Sequence, residues 1–290
     1  MNSQLCTRRP ATADLPIRPG EPMQIAAGVW RLTCRNPGAM TGPGTNSYLI
    51  DACGTWTVID PGPMHPEHVQ ALCAAAAGPI GQILVTHSHP DHSPAAIALR
   101  ALTGARLLGR SGAHARGHDR TFVPDQELSD GQSVPLGPGT VLRVIHTPGH
   151  AANHLCYLLA PLRLLFTGDH IIQGSTVVID PPDGNMSDYF ASLERLLRED
   201  LAVLAPGHGT LIEQPHAALR ALIAHRLQRE AQVLAALCTG RPASLSELVD
   251  RVYRDLPATL HRLAERSVLA HLLRLEAAGC ARRYRGRWRS

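Results

Sequence analysis

Short apolar runs alternate with turns along the first part of the chain. One run, residues 81–85 (Gly-Gln-Ile-Leu-Val), is rich in apolar and β-branched side chains and predicts a buried strand. After it, Ser93 and Pro94 supply an N-cap and a first-turn proline for an Ala/Leu helix over 95–100. This stretch therefore predicts a strand, a loop and a helix in that order.

Towards the C-terminus the apolar spacing becomes helical. Residues 217–237 carry apolar side chains close to a 3.6-residue period and predict one amphipathic helix, which Gly240 ends. Ser244, with Glu247 three residues later, forms the sequence of a capping box and begins a second helix. The break at Leu256 and its following proline ends that helix.

A third helix and a hairpin are predicted at the end of the chain. The helix runs from about Leu260 to Ala278 and is closed by Gly279. Residues 281–289 alternate arginine with other residues around one glycine, which is typical of a short hairpin. Three helices and a hairpin predict a winged helix.

The length of 290 residues allows one large and one small domain. We predict a flexible tail over 1–22, where proline and arginine are frequent, a first domain over 23–215 and a second over 216–290. The second part is the more basic, because 14 arginines face 7 acidic residues after residue 210 and 14 face 17 before it.

Several features favour the cytoplasm. The first residues lack the apolar segment of a secretory signal, and no apolar run approaches the roughly 20 residues of a membrane-spanning helix. The seven cysteines are scattered without a Cys-x-x-Cys pair, most of them among apolar neighbours. We expect them to be reduced core residues, except for Cys34 and Cys53, for which a place lining a cleft is the alternative. We expect no membrane association.

Metal-ligand chemistry is concentrated after the strand at 81–85. His87, His89, Asp91 and His92 place three imidazoles and a carboxylate within six residues, more than ordinary packing can satisfy. Imidazole nitrogen and carboxylate oxygen are the ligands that zinc and similar cations prefer. Three further apolar runs end in a glycine followed by a ligand-type residue: His150, Asp169 and His208.

In this order, His-x-His-x-Asp-His, Gly-His, Gly-Asp and Gly-His resemble the metallo-β-lactamase superfamily over about residues 25–215. The segment Val58-Ile59-Asp60-Pro61-Gly62 resembles the first motif of that family, whose aspartate holds the ligand loop in place. The C-terminal pattern resembles the winged-helix domain of some members. The resemblance implies an α/β fold, a four-layer αββα metallo-β-lactamase sandwich with a small C-terminal winged-helix domain.

The resemblance also implies a binuclear metal site. One metal would be held by His87, His89 and His150, the other by Asp91, His92 and His208, with Asp169 bridging them. Two zinc ions suit this set, and iron or manganese fits nearly as well. A metal-bound hydroxide oriented by Asp91 would be the nucleophile, with Asp60 supporting the ligand loop. His154 is a weaker supporting candidate, while Asn46, Tyr48 and His170 stay outside the catalytic set.

Hydrolysis is the expected reaction, and three functions remain open. We favour a phosphodiesterase acting on single-stranded RNA, as the resemblance and the basic C-terminus suggest, although the chain lacks the insertion domain of larger RNA-cleaving members. A glyoxalase II-like hydrolase of a small thioester is the alternative. The third is a nucleic-acid-binding regulator with an inactive metallo-domain, against which the intact ligand set argues.

The five arginines of 282–289, with Tyr284 and Trp288, could contact phosphates and stack on bases. Alternatively, the hairpin is a solvated wing whose aromatic side chains pack on the third helix. The domain would then serve as a lid or as the surface of a homodimer.

Overall fold

The computed structural model describes residues 16–112, 117–238, 241–254 and 257–290. These residues form two compact units, of which the first comprises the described residues up to 147, together with 153–176 and 199–216. The second comprises 148–152, 177–198 and the described residues from 217 to 290. It therefore takes up two segments that lie before the sequence-based boundary at 215/216.

One sheet of the first unit has seven strands in sequential order. Its strands are β1 (Pro22–Ala26), β2 (Val29–Thr33), β3 (Asn46–Ala52), β4 (Thr55–Ile59), β5 (Ile80–Leu84), β6 (Arg106–Gly109) and β7 (Gln126–Glu127). The strands β1 to β4 pair antiparallel, and β4 to β7 pair parallel. Two crossover helices make the first parallel pairings possible: α1 (Pro66–Ala75) and α2 (Ala95–Thr103).

The other sheet has five strands in the order β12-β11-β10-β9-β8. They are β8 (Ser133–Gly137), β9 (Thr140–His146), β10 (Leu155–Leu159), β11 (Leu164–Gly168) and β12 (Val203–Pro206). The strands β8 to β11 form an antiparallel meander, and β12 joins β11 in parallel. Every residue of β10 and β11 is buried, which explains their largely apolar sequences.

The two sheets of the first unit face each other across a shared apolar core. The rings of Tyr48 on β3 and Phe166 on β11 meet there, with their centroids 5.0 Å apart. A second core lies on the other face of the seven-stranded sheet, where Leu72 of α1 and Leu99 of α2 are fully buried. The first unit is thus a layered sandwich of helices, sheet and sheet.

The second unit contains most of the remaining helices and a hairpin. Its elements are α3 (Met186–Leu196), α4 (Pro215–Leu237, from residue 217 on), α5 (Leu245–Val252), α6 (His261–Ala277), β13 (Arg282–Tyr284) and β14 (Arg287–Arg289). The predicted capping box is confirmed, because Ser244 and Glu247 exchange side-chain to backbone hydrogen bonds at the start of α5. The three predicted C-terminal helices and the hairpin are confirmed as well.

Some sequence expectations differ in detail. Pro94, not Ser93, occupies the N-cap of α2, and the Ser93 hydroxyl instead donates to Asp119 Oδ2 at 2.7 Å. Of the six described cysteines, Cys34 and Cys156 are buried, while three are exposed and one is half-buried, so most are not core residues. Neither the predicted stops at Gly240 and Leu256 nor tail residues 1–15 belong to the described residues.

Residues 16–22 of the predicted tail hydrogen-bond to the first sheet or its adjoining loop. Gly20 N donates to Thr33 O at 2.8 Å, and Arg35 Nε donates to Pro19 O at 3.1 Å. No helix in the described part of the chain combines the length and the apolar composition that a bilayer crossing requires.

Candidate metal centre

The fold collects ligand-type residues from separate loops at strand ends. Asp91 and His92 follow β5, Asp169 follows β11, and His208 follows β12. Because β11 and β12 are parallel and adjacent, their carboxyl ends lie at the same edge of the sheet. Backbone bridges between Thr45 and His208 bring the start of β3 to the same place.

Four side chains converge in the interior of the first unit. His92 Nε2 lies 3.3 Å from Asp169 Oδ1 and 3.6 Å from Asp91 Oδ2. His208 Nε2 lies 3.3 Å and 3.2 Å from the same two carboxylate oxygens. The side chains of His92 and His208 are 0% and 5% exposed, so contact with solvent does not account for the close approach of these nitrogen and oxygen atoms.

Hydrogen bonds on the far side of each ring fix its tautomer. His92 Nδ1 lies 3.0 Å from Asp60 Oδ2, and His208 Nδ1 lies 3.2 Å from the carbonyl oxygen of Gly44. Both acceptors favour a proton on Nδ1, which leaves Nε2 as the ligand atom. Both Nε2 atoms are buried and make no hydrogen bond to the described residues.

This donor set fits a metal ion. Atoms held tetrahedrally at about 2.0–2.1 Å from zinc are separated from one another by roughly 3.3 Å, close to the distances in this cluster. A Cβ at Gly207 would lie 2.6 Å from Asp169 Oδ1 and 2.8 Å from His92 Cε1. Glycine at this position therefore keeps the space between the ligand atoms open, as a His/Asp metal site requires.

The three histidines of the other predicted metal position each have described contacts. His87 Nε2 and His89 Nδ1 lie 2.9 Å apart, and His87 Nδ1 lies 3.1 Å from Thr86 Oγ1. His150 belongs to the second unit, where its Nδ1 lies 2.7 Å from Val178 O. The assignment of His150 as the third ligand stays a prediction, as do the ligand roles of the other six residues.

Asp60 connects β4 to the loop that carries the histidines. Its Oδ1 accepts the Thr86 backbone N–H at 2.7 Å, and its Oδ2 accepts the Thr86 hydroxyl at 2.7 Å as well as the ring of His92. Asp60 is 2% exposed and has a φ of 51°, in the left-handed region that aspartate and asparagine adopt more readily than most residues other than glycine. These contacts hold the start of the loop and one imidazole together.

Sequence reasoning gave no role to several residues that support the centre. Asn46 Nδ2 donates to Pro206 O at 3.0 Å and Gly209 O at 2.8 Å, and Tyr48 O–H donates to Pro206 O at 2.8 Å. These bonds hold both sides of the His208 turn. The sequence held no local signal for these roles, because the hydrogen-bond partners lie 158–163 positions further along the chain. His154, a weaker candidate, is fully buried with Nδ1 2.8 Å from Thr147 Oγ1.

Opposite charges balance within the cluster. Burial alone would lower the pKa of His208, but the carboxylates of Asp169 and Asp91 raise it to about 10. Burial also opposes charge on His92, whose pKa the surrounding carboxylates raise well above its ordinary value. Burial would raise the pKa of Asp169, yet the two imidazoles hold it well below its usual range. In the metal-free protein, the positive charge in the cluster is therefore carried by protonated His92 and His208 instead of by a metal ion.

Metal binding should consequently release protons. We expect zinc binding at about pH 8 to displace protons from His92 and His208, so that the affinity for zinc falls as the pH is lowered. Calorimetric titration in buffers of different ionisation enthalpy would measure the release, and His208→Ala should reduce it. Binding heats that do not depend on the buffer would contradict the expectation.

The same shift has a defined effect on the metal-free protein. Because the folded pKa of His208 is raised from 6.5 to about 10, its contribution to stability is fully present below pH 6.5. That contribution is lost as the pH rises through the folded pKa, so the free energy of unfolding attributable to this group should decline over this range.

Comparison with known proteins agrees with this geometry. The sequence profile of the metallo-beta-lactamase superfamily matches residues 40–208, and that of the beta-lactamase associated winged helix domain matches residues 244–288. A "Beta-lactamase-like protein 2 homolog" from Drosophila melanogaster is 30% identical over 272 residues, which cover 88% of this chain and 90% of the relative.

Two further similarities extend along the chain. An "Atrochrysone carboxyl ACP thioesterase" from Aspergillus chevalieri is 30% identical over 270 residues, covering 88% of this chain and 82% of the relative. A crystal structure of a beta-lactamase domain protein from Burkholderia ambifaria superposes with a TM-score of 0.82 at 23% identity, covering 100% and 99% of the two chains. This confirms the predicted fold class, and the chain belongs to the metallo-β-lactamase superfamily, as a metallo-hydrolase with a β-lactamase-associated winged-helix domain.

Proposed function

We propose that this chain is a binuclear zinc hydrolase whose substrates are acyl thioesters. The observation that carries the proposal is the buried convergence of Asp91, His92, Asp169 and His208. His87, His89 and His150 would hold the other ion, with Asp169 shared. Bound there, the two ions supply Lewis-acid polarisation of the scissile carbonyl and a lowered pKa for coordinated water.

The residues of the cluster divide the remaining work. Asp91 has the most exposed side chain of the four, 28% against 14% for Asp169, so it lies closest to an incoming substrate. Burial opposes ionisation of Asp91, but the histidines lower its pKa, and the ionised carboxylate can accept a proton from the attacking water. Asp60 and Gly44 keep the two imidazoles oriented.

The thioester class is supported by the thioesterase relative. Its alignment covers 88% of this chain, so it must continue beyond the superfamily match that ends at residue 208. A winged-helix region is thus compatible with a protein named as a thioesterase. A substrate on a pantetheine arm would present its thioester carbonyl at the end of a long chain, within reach of a buried centre.

A single-stranded RNA phosphodiesterase is the second candidate, because the hairpin exposes an arginine-flanked ring. Tyr284 is 46% exposed, and the guanidinium carbons of Arg285 and Arg289 lie 5.4 Å and 5.0 Å from its centroid. In contrast, Trp288 is buried in the core of the second unit, and Arg287 is paired with Glu247. Because one of the two aromatic rings of the hairpin is exposed for base stacking and the other is buried, RNA cleavage is the second candidate.

The test assays both substrate classes with the same protein. Zinc-loaded enzyme is assayed with an acyl-pantetheine thioester, with S-lactoylglutathione and with labelled single-stranded RNA. We expect thioester turnover that falls by at least about 100-fold in His89→Ala, because a lost ligand weakens metal binding and carbonyl polarisation.

The matched control is His65→Ala, at the half-buried N-cap of α1, which should retain turnover. Cleavage of RNA that is lost in His89→Ala, with inert thioesters, would replace the proposal by the second candidate. Equal activity of the wild type and His89→Ala would reject the metal centre.

A further inference from the structure

The loop that carries His150 is fixed by contacts within the second unit. Ser192 Oγ donates to Pro148 O at 2.8 Å, and Asn185 N donates to Gly149 O at 2.8 Å. Gly149 has a φ of 141°, and a Cβ there would lie 2.4 Å from Cα of Tyr189. The backbone on the N-terminal side of His150 is therefore held firmly against α3.

The ring of His150 is oriented by a different segment. Its Nδ1 lies 2.7 Å from the carbonyl oxygen of Val178. Because a carbonyl only accepts, this contact requires the proton on Nδ1 and leaves the lone pair on Nε2 for a ligand. The position of the Val178 carbonyl thus decides which nitrogen can bind a metal.

A buried arginine holds the neighbouring peptide. Arg226 on α4 is 3% exposed, and its Nη2 donates to Val177 O. The peptide planes on either side of Val178 share its Cα, so anchoring the first restricts rotation of the second. Val177 is itself 5% exposed, so without Arg226 this carbonyl would face the cost of an unsatisfied buried acceptor.

The buried guanidinium of Arg226 has few other partners. The guanidinium lies over the ring of Tyr189 at 5.4 Å, and its Nε is buried without a hydrogen-bond partner among the described residues. Glu230, one turn later on α4, is engaged by Arg274 and His271. Burying an arginine for one carbonyl bond is costly, which points to a task in placing that peptide.

We infer that Arg226 is a positioning residue, which acts through the Val177–Val178 backbone to hold His150 with Nε2 available to the metal. The inference rests on the proposed function, in which His150 is a ligand. It gives Arg226, on α4 of the second unit, an indirect role that is exerted through contacts within that unit.

The test replaces Arg226 and reads metal binding and the tautomer of His150. In Arg226→Met we expect zinc affinity at one position to fall by about 10-fold or more, as for other residues that support metal ligands. Long-range proton–nitrogen NMR of the metal-free protein should show Nδ1–H for His150 in the wild type and a mixture in the variant. Arg226→Lys, which retains a donor, should restore part of the affinity.

The matched control is Arg229→Met on the same helix. The guanidinium carbon of Arg229 lies 4.1 Å from the ring centroid of Tyr253, and its Nη1 donates to Val252 O. Because these contacts do not involve Val177, the loss of Arg229 should leave zinc affinity unchanged. A folded Arg226→Met with wild-type affinity and an unchanged tautomer would overturn the inference.

Two further measurements separate the possible failures. If His150→Ala binds two zinc ions as tightly as the wild type, the proposed metal centre is wrong. If His150→Ala loses zinc while Arg226→Met does not, only the positioning inference fails. Should Arg226→Met not fold, the wild-type tautomer still decides, because Nε2–H on His150 in the metal-free protein would refute the argument.

Discussion

Asp169→Asn is expected to lower kcat/KM for thioester hydrolysis by about 10³-fold, which corresponds to roughly 4 kcal/mol of lost transition-state stabilisation. Asp169 Oδ1 lies 3.3 Å from both His92 Nε2 and His208 Nε2, at the centre of the cluster. The amide keeps the size of the side chain but loses the charge that a shared carboxylate contributes between two cations. Steady-state kinetics and zinc content per chain would measure both effects.

Asp51→Asn is the matched control for this change. Asp51 Oδ1 caps the β3–β4 turn by accepting the Gly54 N–H at 2.8 Å, away from the cluster. Its replacement should leave turnover and zinc content within about twofold of the wild type, as for surface changes in general. If Asp169→Asn retained two zinc ions and wild-type turnover, the carboxylate would not bridge the metals.

The second large effect is expected for Asp60→Asn. The amide can still accept from the Thr86 N–H, but its NH₂ group would face the ring nitrogen of His92 that now donates to Asp60. A neutral His92 would then carry its proton on Nε2, where it blocks metal binding. Asparagine tolerates the positive φ of this position, so the backbone should stay in place.

We expect zinc affinity to fall by about 10- to 100-fold and the metal-free protein to lose roughly 2–4 kcal/mol of unfolding free energy. Urea unfolding and zinc competition against a chelator are the measurements. Asp51→Asn again serves as the control. Wild-type stability together with wild-type zinc affinity in Asp60→Asn would show that the carboxylate does not support the ligand loop.

Local sequence signals predicted much of this protein. The apolar run before His87 forms β5 (Ile80–Leu84), and the capping residues of α5 act as expected. Such features depend on neighbouring residues along the chain, so their physics is visible in the sequence. The four side chains that converge in the first unit were recognisable because ligand chemistry demands unusual residues at strand ends.

Features that depend on tertiary contacts were not predictable in the same way. An alternating hairpin does not reveal which face it buries, so the fate of Trp288, now in the core, and of Arg287, paired with Glu247, stayed open. Residues 148–152 cluster with the C-terminal helices although the chain places them far from one another. Hydrogen bonds such as those of Asn46 to the His208 turn have no local signature.

The bond from Asn46 to Pro206 spans 160 positions of the sequence. The four-residue cluster can therefore assemble only after the early and late strands of the first unit have met, because long loops must close before such contacts form. A metal ion that binds only the assembled cluster cannot speed folding. It stabilises the native state by slowing unfolding. Metal supply thus governs how long the folded protein persists rather than how quickly it forms.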